Sequence, residues 1–188
     1  ILGNLGYTLS TARLALPITP HPLPWESELQ QRLERSLTVV SLTSETARRE
    51  TLVAPILLEV ATHCQAQLRI EYPLTVNNWL KGYLDYLLRS SHSLVIVEAK
   101  NDDLTRGFTQ LAVELIALAQ VQESEILYGA VTIGDAWRFG KLDAVHKQIT
   151  QDITLLTVPD DLGRVMGILV GILEGREPGQ LGKGMGDE

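Results

Sequence analysis

Cysteine is almost missing from this chain: Cys64 is the only one in 188 residues. No intramolecular disulfide can form, and a reducing compartment, the cytoplasm, is the expected setting. The four histidines, His21, His63, His92 and His146, show no spacing with Cys64 that marks a zinc site. Long apolar runs are missing too. No uncharged stretch reaches the roughly 18 residues that would span a bilayer, and the N-terminus lacks the basic, apolar and small-residue succession of a secretory signal. Ile1 stands where an initiator Met would, so residues upstream are expected. Basic residues are outnumbered, 16 Lys plus Arg against 23 Asp plus Glu, for a formal charge of -7. That balance argues against a protein that coats nucleic acid through counterion release, but it leaves room for a local basic groove.

What is present is enough apolar residue, 45% of the chain, to bury the core of one domain. Residues 1–24 hold Pro17, Pro20, Pro22 and Pro24, half of the eight prolines, and are expected to form an extended proline-rich arm. The Pro17 to Pro20 spacing matches a PxxP ligand, but a packed surface arm is the expectation. A single domain should occupy 25–175, and the glycine-rich segment 176–188 should be a flexible tail.

Two stretches organise the domain. Gly82 to Leu88 is an apolar and aromatic run with one acid, Asp85, and Leu94 to Lys100 is an apolar run ending in Glu98, Ala99 and Lys100. Both read as buried strands. An even-length hairpin loop between them, either Ser91-His92 or Ser90 to Ser93, makes paired residue numbers sum to 183. Asp85 then faces Glu98. Tyr83, Asp85 and Leu87 share a face with Ile96, Glu98 and Lys100, while Leu84, Tyr86, Leu88, Val95, Val97 and Ala99 form a wholly uncharged face. Opposed Cβ atoms lie roughly 4.5 to 5.5 Å apart, so two carboxylates placed this way repel unless a cation or proton lies between them.

Around this pair the chain reads as alternating helix and strand. Trp25, Leu29, Leu33 and Leu37 lay an apolar stripe along one helix. Ser44 caps a second, with Glu45 in its first turn and Pro55 expected to kink it. Leu68 to Leu74 with Thr75-Val76 suggests a strand, which Pro73 confines to an edge or a bulge, and Asn77-Asn78 a turn. The segment Asn101 to Asp103 caps a helix from about Leu104 to Val121, whose core face is Leu104, Phe108, Leu111, Leu115 and Leu118; Gln110 and Glu114 lie on another face. Ile126 to Thr132 and Ala136 to Phe139 read as a hairpin. Asp160 or Asp161 caps a last helix to about Glu174, on which Gly163, Gly167, Gly171 and Gly175 recur every four residues. Such an edge invites close approach by the sheet or by a second subunit, and a homodimer is one expectation it raises.

An acid on one strand, acid-x-Lys on the next and a helix carrying Gln110 together resemble the PD-(D/E)XK nuclease superfamily over roughly Glu45 to Phe139. Leu84 stands where that family often has proline, so of the first motif only Asp85 is present. The helix SETARRETLVAPILLEV, with Glu45, Arg49 and Pro55, is similar to the opening helix of the nuclease domains of type I restriction enzyme motor subunits. The segment YGAVTIGDAWRFGKL is similar to the strand pair that follows the Gln-bearing helix. The whole also resembles small stand-alone predicted nucleases from cyanobacteria.

The resemblance implies an α/β, restriction-endonuclease-like fold with a central mixed sheet flanked by helices. It implies a nuclease that hydrolyses phosphodiester bonds with Mg2+, or Mn2+ in its place, and with DNA as the expected substrate. Asp85, Glu98 and the Ala99 backbone carbonyl offer hard oxygen ligands, and Glu45 could add a carboxylate directly or through water. Lys100, about 6.6 Å along the strand from Glu98 at roughly 3.3 Å per residue, can bring its ammonium over the same phosphate. Gln110 would hold Lys100, the attacking water or the substrate backbone.

Plainer readings accompany each residue. Glu45 also suits a helix dipole, Gln110 an ordinary polar contact, His92 a turn and Tyr83 the packing of a sheet. Arg48, Arg49, Arg69, Lys81, Arg106, Arg138 and Lys141 could line a phosphate track or be scattered surface charges. The competing class is a catalytically silent module of the same fold that serves as a structural or partner-binding domain.

Overall fold

A computed structural model describes residues 2–75, 81–100 and 102–179. The protein is an α/β fold built on one mixed eight-stranded sheet with helices on both faces. The strands are β1 Thr8–Ala12, β2 Gln67–Thr75, β3 Lys81–Arg89, β4 Leu94–Ala99, β5 Ile126–Thr132, β6 Ala136–Asp143, β7 Gln148–Asp152 and β8 Leu156–Thr157. They lie in the order β1-β7-β6-β5-β4-β3-β2, with β8 paired to β6. The helices are α1 Glu26–Leu37, α2 Glu45–Arg48, α3 Ala54–His63, α4 Leu104–Gln122 and α5 Leu162–Leu173. Among the described residues, no helix is long and apolar enough to cross a membrane.

The sequence pattern explains most of these elements. Period-four apolar spacing buries Leu29 and Leu33 of α1, and the Ser44 hydroxyl caps α2 by accepting the Ala47 N–H at 3.1 Å. Between α2 and α3 the chain widens into a π-helical turn, Arg49–Val53, immediately before Pro55. Proline has no N–H for the helix and its ring crowds the preceding turn, so the expected kink takes the form of a wider turn. β2 is an edge strand, as Pro73 requires. Asn77-Asn78 lie outside the described residues.

Two apolar layers sandwich the sheet. One joins α1, α3 and α5 to Tyr86, Leu88, Val95, Val97 and Ala99; the other joins α4 to Leu87, Ile96, Leu127, Val131 and Leu142. Leu84, expected beside Tyr86, belongs with Leu74 to the α4 layer. The reason lies next door: Glu71 takes a left-handed backbone, φ 52°, and Glu71 and Asp85 are missing from a β2–β3 register that is otherwise continuous from Gln67–Arg89 to Thr75–Lys81. Both strands exchange faces there. Leu68 packs on one layer, Tyr72 and Leu74 on the other.

The proline-rich arm contains more than the sequence reading implied. Residues Thr8–Ala12 pair in parallel with β7, and the buried Asp152 carboxylate fastens the following chain by accepting the Leu14 N–H at 3.3 Å. The arm then crosses α5. Thr19 N–H donates to the Gly167 carbonyl at 3.0 Å, and a Cβ on Gly171 would fall 2.6 Å from the Ile18 backbone. Gly167 and Gly171 therefore face the chain's own arm rather than the sheet, while Gly163 faces Glu26 and Gly175 faces His92. Asp161 occupies the N-cap position of α5, but its carboxylate bonds back to Thr157 N–H at 2.8 Å.

Gly171→Ala should destabilise the fold by about 1–3 kcal/mol, because rigid backbone faces the new methyl. Gly167→Ala, which meets only the Ile18 side chain at 3.3 Å, should cost much less, since alanine's better helix propensity offsets the contact. Urea unfolding of the two variants checks the ranking.

Candidate functional site

The hairpin loop is the four-residue one, closed by Ser90 N–H to the Ser93 carbonyl at 2.9 Å. The pairs Arg89–Leu94, Leu88–Val95, Leu87–Ile96 and Tyr86–Val97 all sum to 183. The next position is Asp85 opposite Glu98, and there the ladder ends. Alternation from the bonded Ser90–Ser93 pair makes Leu84–Ala99 the next pair that would exchange backbone bonds. Instead, Ala99 N–H donates to Asp85 Oδ2 at 2.9 Å. A carboxylate replaces a main-chain carbonyl, and the strands part around it. The Ala99 carbonyl points to the same side of β4 as its N–H, into this gap.

Glu98 is 0% exposed, and neither carboxylate oxygen has a hydrogen bond of acceptable geometry. Lys100 Nζ lies against Glu98 Oε1 as an ion pair but outside that geometry. Burial, followed by the charge of Asp85, pushes the Glu98 carboxyl up to about 7 despite the opposing pull of Lys100. Burial lowers Lys100, yet Glu98, Asp85 and Glu45 outweigh it and raise its pKa. Gly107 makes room for the lysine stem: a Cβ there would meet Val131 Cγ2 at 2.6 Å and Lys100 Cγ at 2.8 Å.

Two further residues complete the cluster. Glu114 on α4 stands beside Glu98; burial and the charge of Glu98 push its carboxyl up to about 9, and its Oε2 is buried without a partner. Arg49, from the π-helical turn, donates to Tyr86 Oη at 3.2 Å and lies 3.9 Å from Asp85 Oδ1 and 4.0 Å from Glu71 Oε1. Its guanidinium also covers the Tyr86 ring at 5.1 Å. Arg49 holds the outer side of Asp85 as Lys100 holds Glu98. Glu114 was legible only as a second polar group one turn beyond Gln110; nothing in its spacing marked it as buried.

The structure brings Asp85, Glu98, Ala99 and Lys100 together. Gln110 is displaced from its expected role: its amide donates to Glu114 Oε1 at 2.9 Å rather than holding Lys100. Glu45 opens α2 and is felt by Lys100 as charge, with no ion pair between them. His92 is exposed in the hairpin loop against Gly175, which makes it a turn residue. Tyr83 is 67% exposed, on the rim of a recess of about 200 Å³ lined also by Leu84, Gln110, Glu114 and Ala117, and is not a packed sheet aromatic. Arg48 is committed to the Ile133 carbonyl and Asp135, Arg69 to Gln67 and the Tyr72 ring. The Lys81 side chain lies outside the described residues.

A divalent cation suits this donor set. Asp85 and Glu98 stand on facing strands, Glu98 Oε2 has no partner, and the Ala99 carbonyl faces the same gap. Among the described residues, no three Asp, Glu, His or Cys side chains form a ready cage. An ion here would rest on two carboxylates and take waters, the carbonyl and a substrate oxygen for the rest, which is the Mg2+ pattern and not that of structural zinc.

Folded Glu98 keeps its proton to about 7, against 4.5 for the unmodified group. The folded state therefore binds more protons than the unfolded chain between these values, and Glu114 extends the interval upward. In chelator, the melting temperature should fall as pH rises from 5 toward 8, and Glu114→Gln should flatten that fall. A thermal-shift series in pH checks it.

Neither a protein-family model nor a curated protein sequence matches the chain.

Proposed function

We propose that the protein is a Mg2+-dependent phosphodiesterase acting on nucleic acid, with DNA as the substrate and a PD-(D/E)XK-type arrangement of its site residues. The observation that supports this most is the fully buried Glu98 carboxylate, left without a hydrogen bond and set opposite Asp85 where the β3–β4 ladder opens. Buried acids of like charge are costly unless a cation joins them. Asp85, Glu98 and the Ala99 carbonyl would hold the ion.

A bound Mg2+ would supply Lewis-acid chemistry, lowering the pKa of water and offsetting charge on the phosphate. The chain's own residues do the rest. Lys100, cationic and next to Glu98, places a positive charge where negative charge develops on the transferred phosphate. Arg49 and the Ala99 N–H fix Asp85 in one orientation. Gln110 orients Glu114, whose neutral carboxyl limits the charge packed around Glu98.

A second reading has one observation in its favour. Lys100 on Glu98 and Arg49 on Asp85 already neutralise both acids, which would suit a catalytically silent module. Metal response separates the two readings. Mg2+ or Mn2+ should raise the melting temperature of the wild type, and Asp85→Ala should abolish the rise. Lys100→Ala should reduce DNA cleavage by about 10²–10³-fold while keeping that rise. No thermal response to millimolar Mg2+ or Mn2+, with neither single- nor double-stranded DNA cut, would sink the enzyme reading.

A further inference from the structure

Among the described residues, several arginines have an acid or amide partner: Arg32 pairs with Glu59, Arg48 with Asp135, Arg49 with Asp85 and Arg89 with Gln122. Arg138, like Arg13, Arg106 and Arg164, makes no side-chain hydrogen bond or ion pair to a described residue; of these it is the one whose Nε is buried without a partner. Burying a guanidinium nitrogen without an acceptor is unfavourable, and an unsatisfied polar group of this kind calls for a missing partner.

Its place in the sheet identifies the partner's chemistry. Glu98 pairs with Val131, and Val131 pairs with Arg138. Directly paired residues point to one face, and this is the α4 face: Val131 belongs to the α4 layer, and a Cβ on Gly140, two residues beyond Arg138, would meet the Phe108 ring. Glu98, Val131 and Arg138 therefore form one row across three strands. At roughly 4.8 Å per strand the row measures about 10 Å from Glu98 to Arg138. Gly107 of α4 lies over its middle member, Val131.

We propose that Arg138 binds a backbone phosphate of the nucleic-acid strand a few nucleotides from the one held at Asp85 and Glu98. The strand then passes outside the first turn of α4, which covers the row between its two ends, where Glu98 and Val131 are buried. The proposal rests on the phosphodiesterase reading above. Guanidinium is suited to phosphate because its planar donors match two oxygens, and the exposed end of Arg138 is free to meet one while its stem packs on the sheet.

The test is DNA binding against salt concentration, with Ca2+ replacing Mg2+, by anisotropy of a fluorescent duplex and of its single strand. Arg138→Gln should weaken binding about tenfold and reduce the salt slope by about one contact, with Arg138→Lys restoring the slope. The thermal response to Mg2+ should be that of the wild type in both variants. Should the glutamine variant fail to fold, Arg138→Met keeps the apolar stem and should show the same loss. Wild-type affinity and slope in the folded glutamine or methionine variant would overturn the assignment while leaving the phosphodiesterase reading intact. A wild type that binds neither duplex nor single strand would overturn both.

Discussion

Two carboxylates facing each other at the end of an antiparallel ladder are the constraint on which this structure turns. Regular pairing would have continued through Leu84 and Ala99; the Asp85 side chain takes the Ala99 N–H instead. That one exchange opens the sheet, frees a main-chain carbonyl and leaves Glu98 buried without a well-formed hydrogen bond. The neighbouring elements supply compensating charge: Lys100 from the same strand, Arg49 from the helix on one face, and on the other face a protonated Glu114 steadied by Gln110.

The irregularity is shared with β2. Glu71, left-handed and opposite Asp85, lets the last part of β2 and the first part of β3 rotate so that Leu74 and Leu84 join the α4 layer. A ladder that stayed regular would have kept Leu84 beneath α3 and α5 and drawn Asp85 into ordinary pairing. Local backbone strain of this kind costs of order 1–3 kcal/mol and persists where the surroundings hold it. Here Arg49 bridges Glu71 and Asp85 and joins both to the Tyr86 hydroxyl.

Much of the fold was legible because its elements carry strong periodicity. The α4 stripe, the two central strands and the parity of their loop were readable, and parity alone placed Asp85 opposite Glu98. Short edge strands were not. β7, QITQD, buries Ile149 alone among its apolar residues and exists because β6 offers it a ladder; β1 exists because β7 does in turn. The face exchange at Glu71 was invisible for the same reason: a glutamate in a strand carries no sign of a left-handed backbone. In the site, strand spacing revealed the pair and the lysine. Burial of Glu114 and the reach of Arg49 depend on how a helix seats on the sheet, which no local pattern encodes.

The π-helical turn before Pro55 has an effect beyond the kink. It lets two successive arginines serve different strands: Arg48 grips the turn between β5 and β6 through the Ile133 carbonyl and Asp135, while Arg49 grips β3 through Asp85 and Tyr86. The helix thus acts as a spacer bar between the β5–β6 turn and β3, and inserting or deleting a single residue between Ser44 and Pro55 would shift what these two arginines can reach without changing any residue they hold.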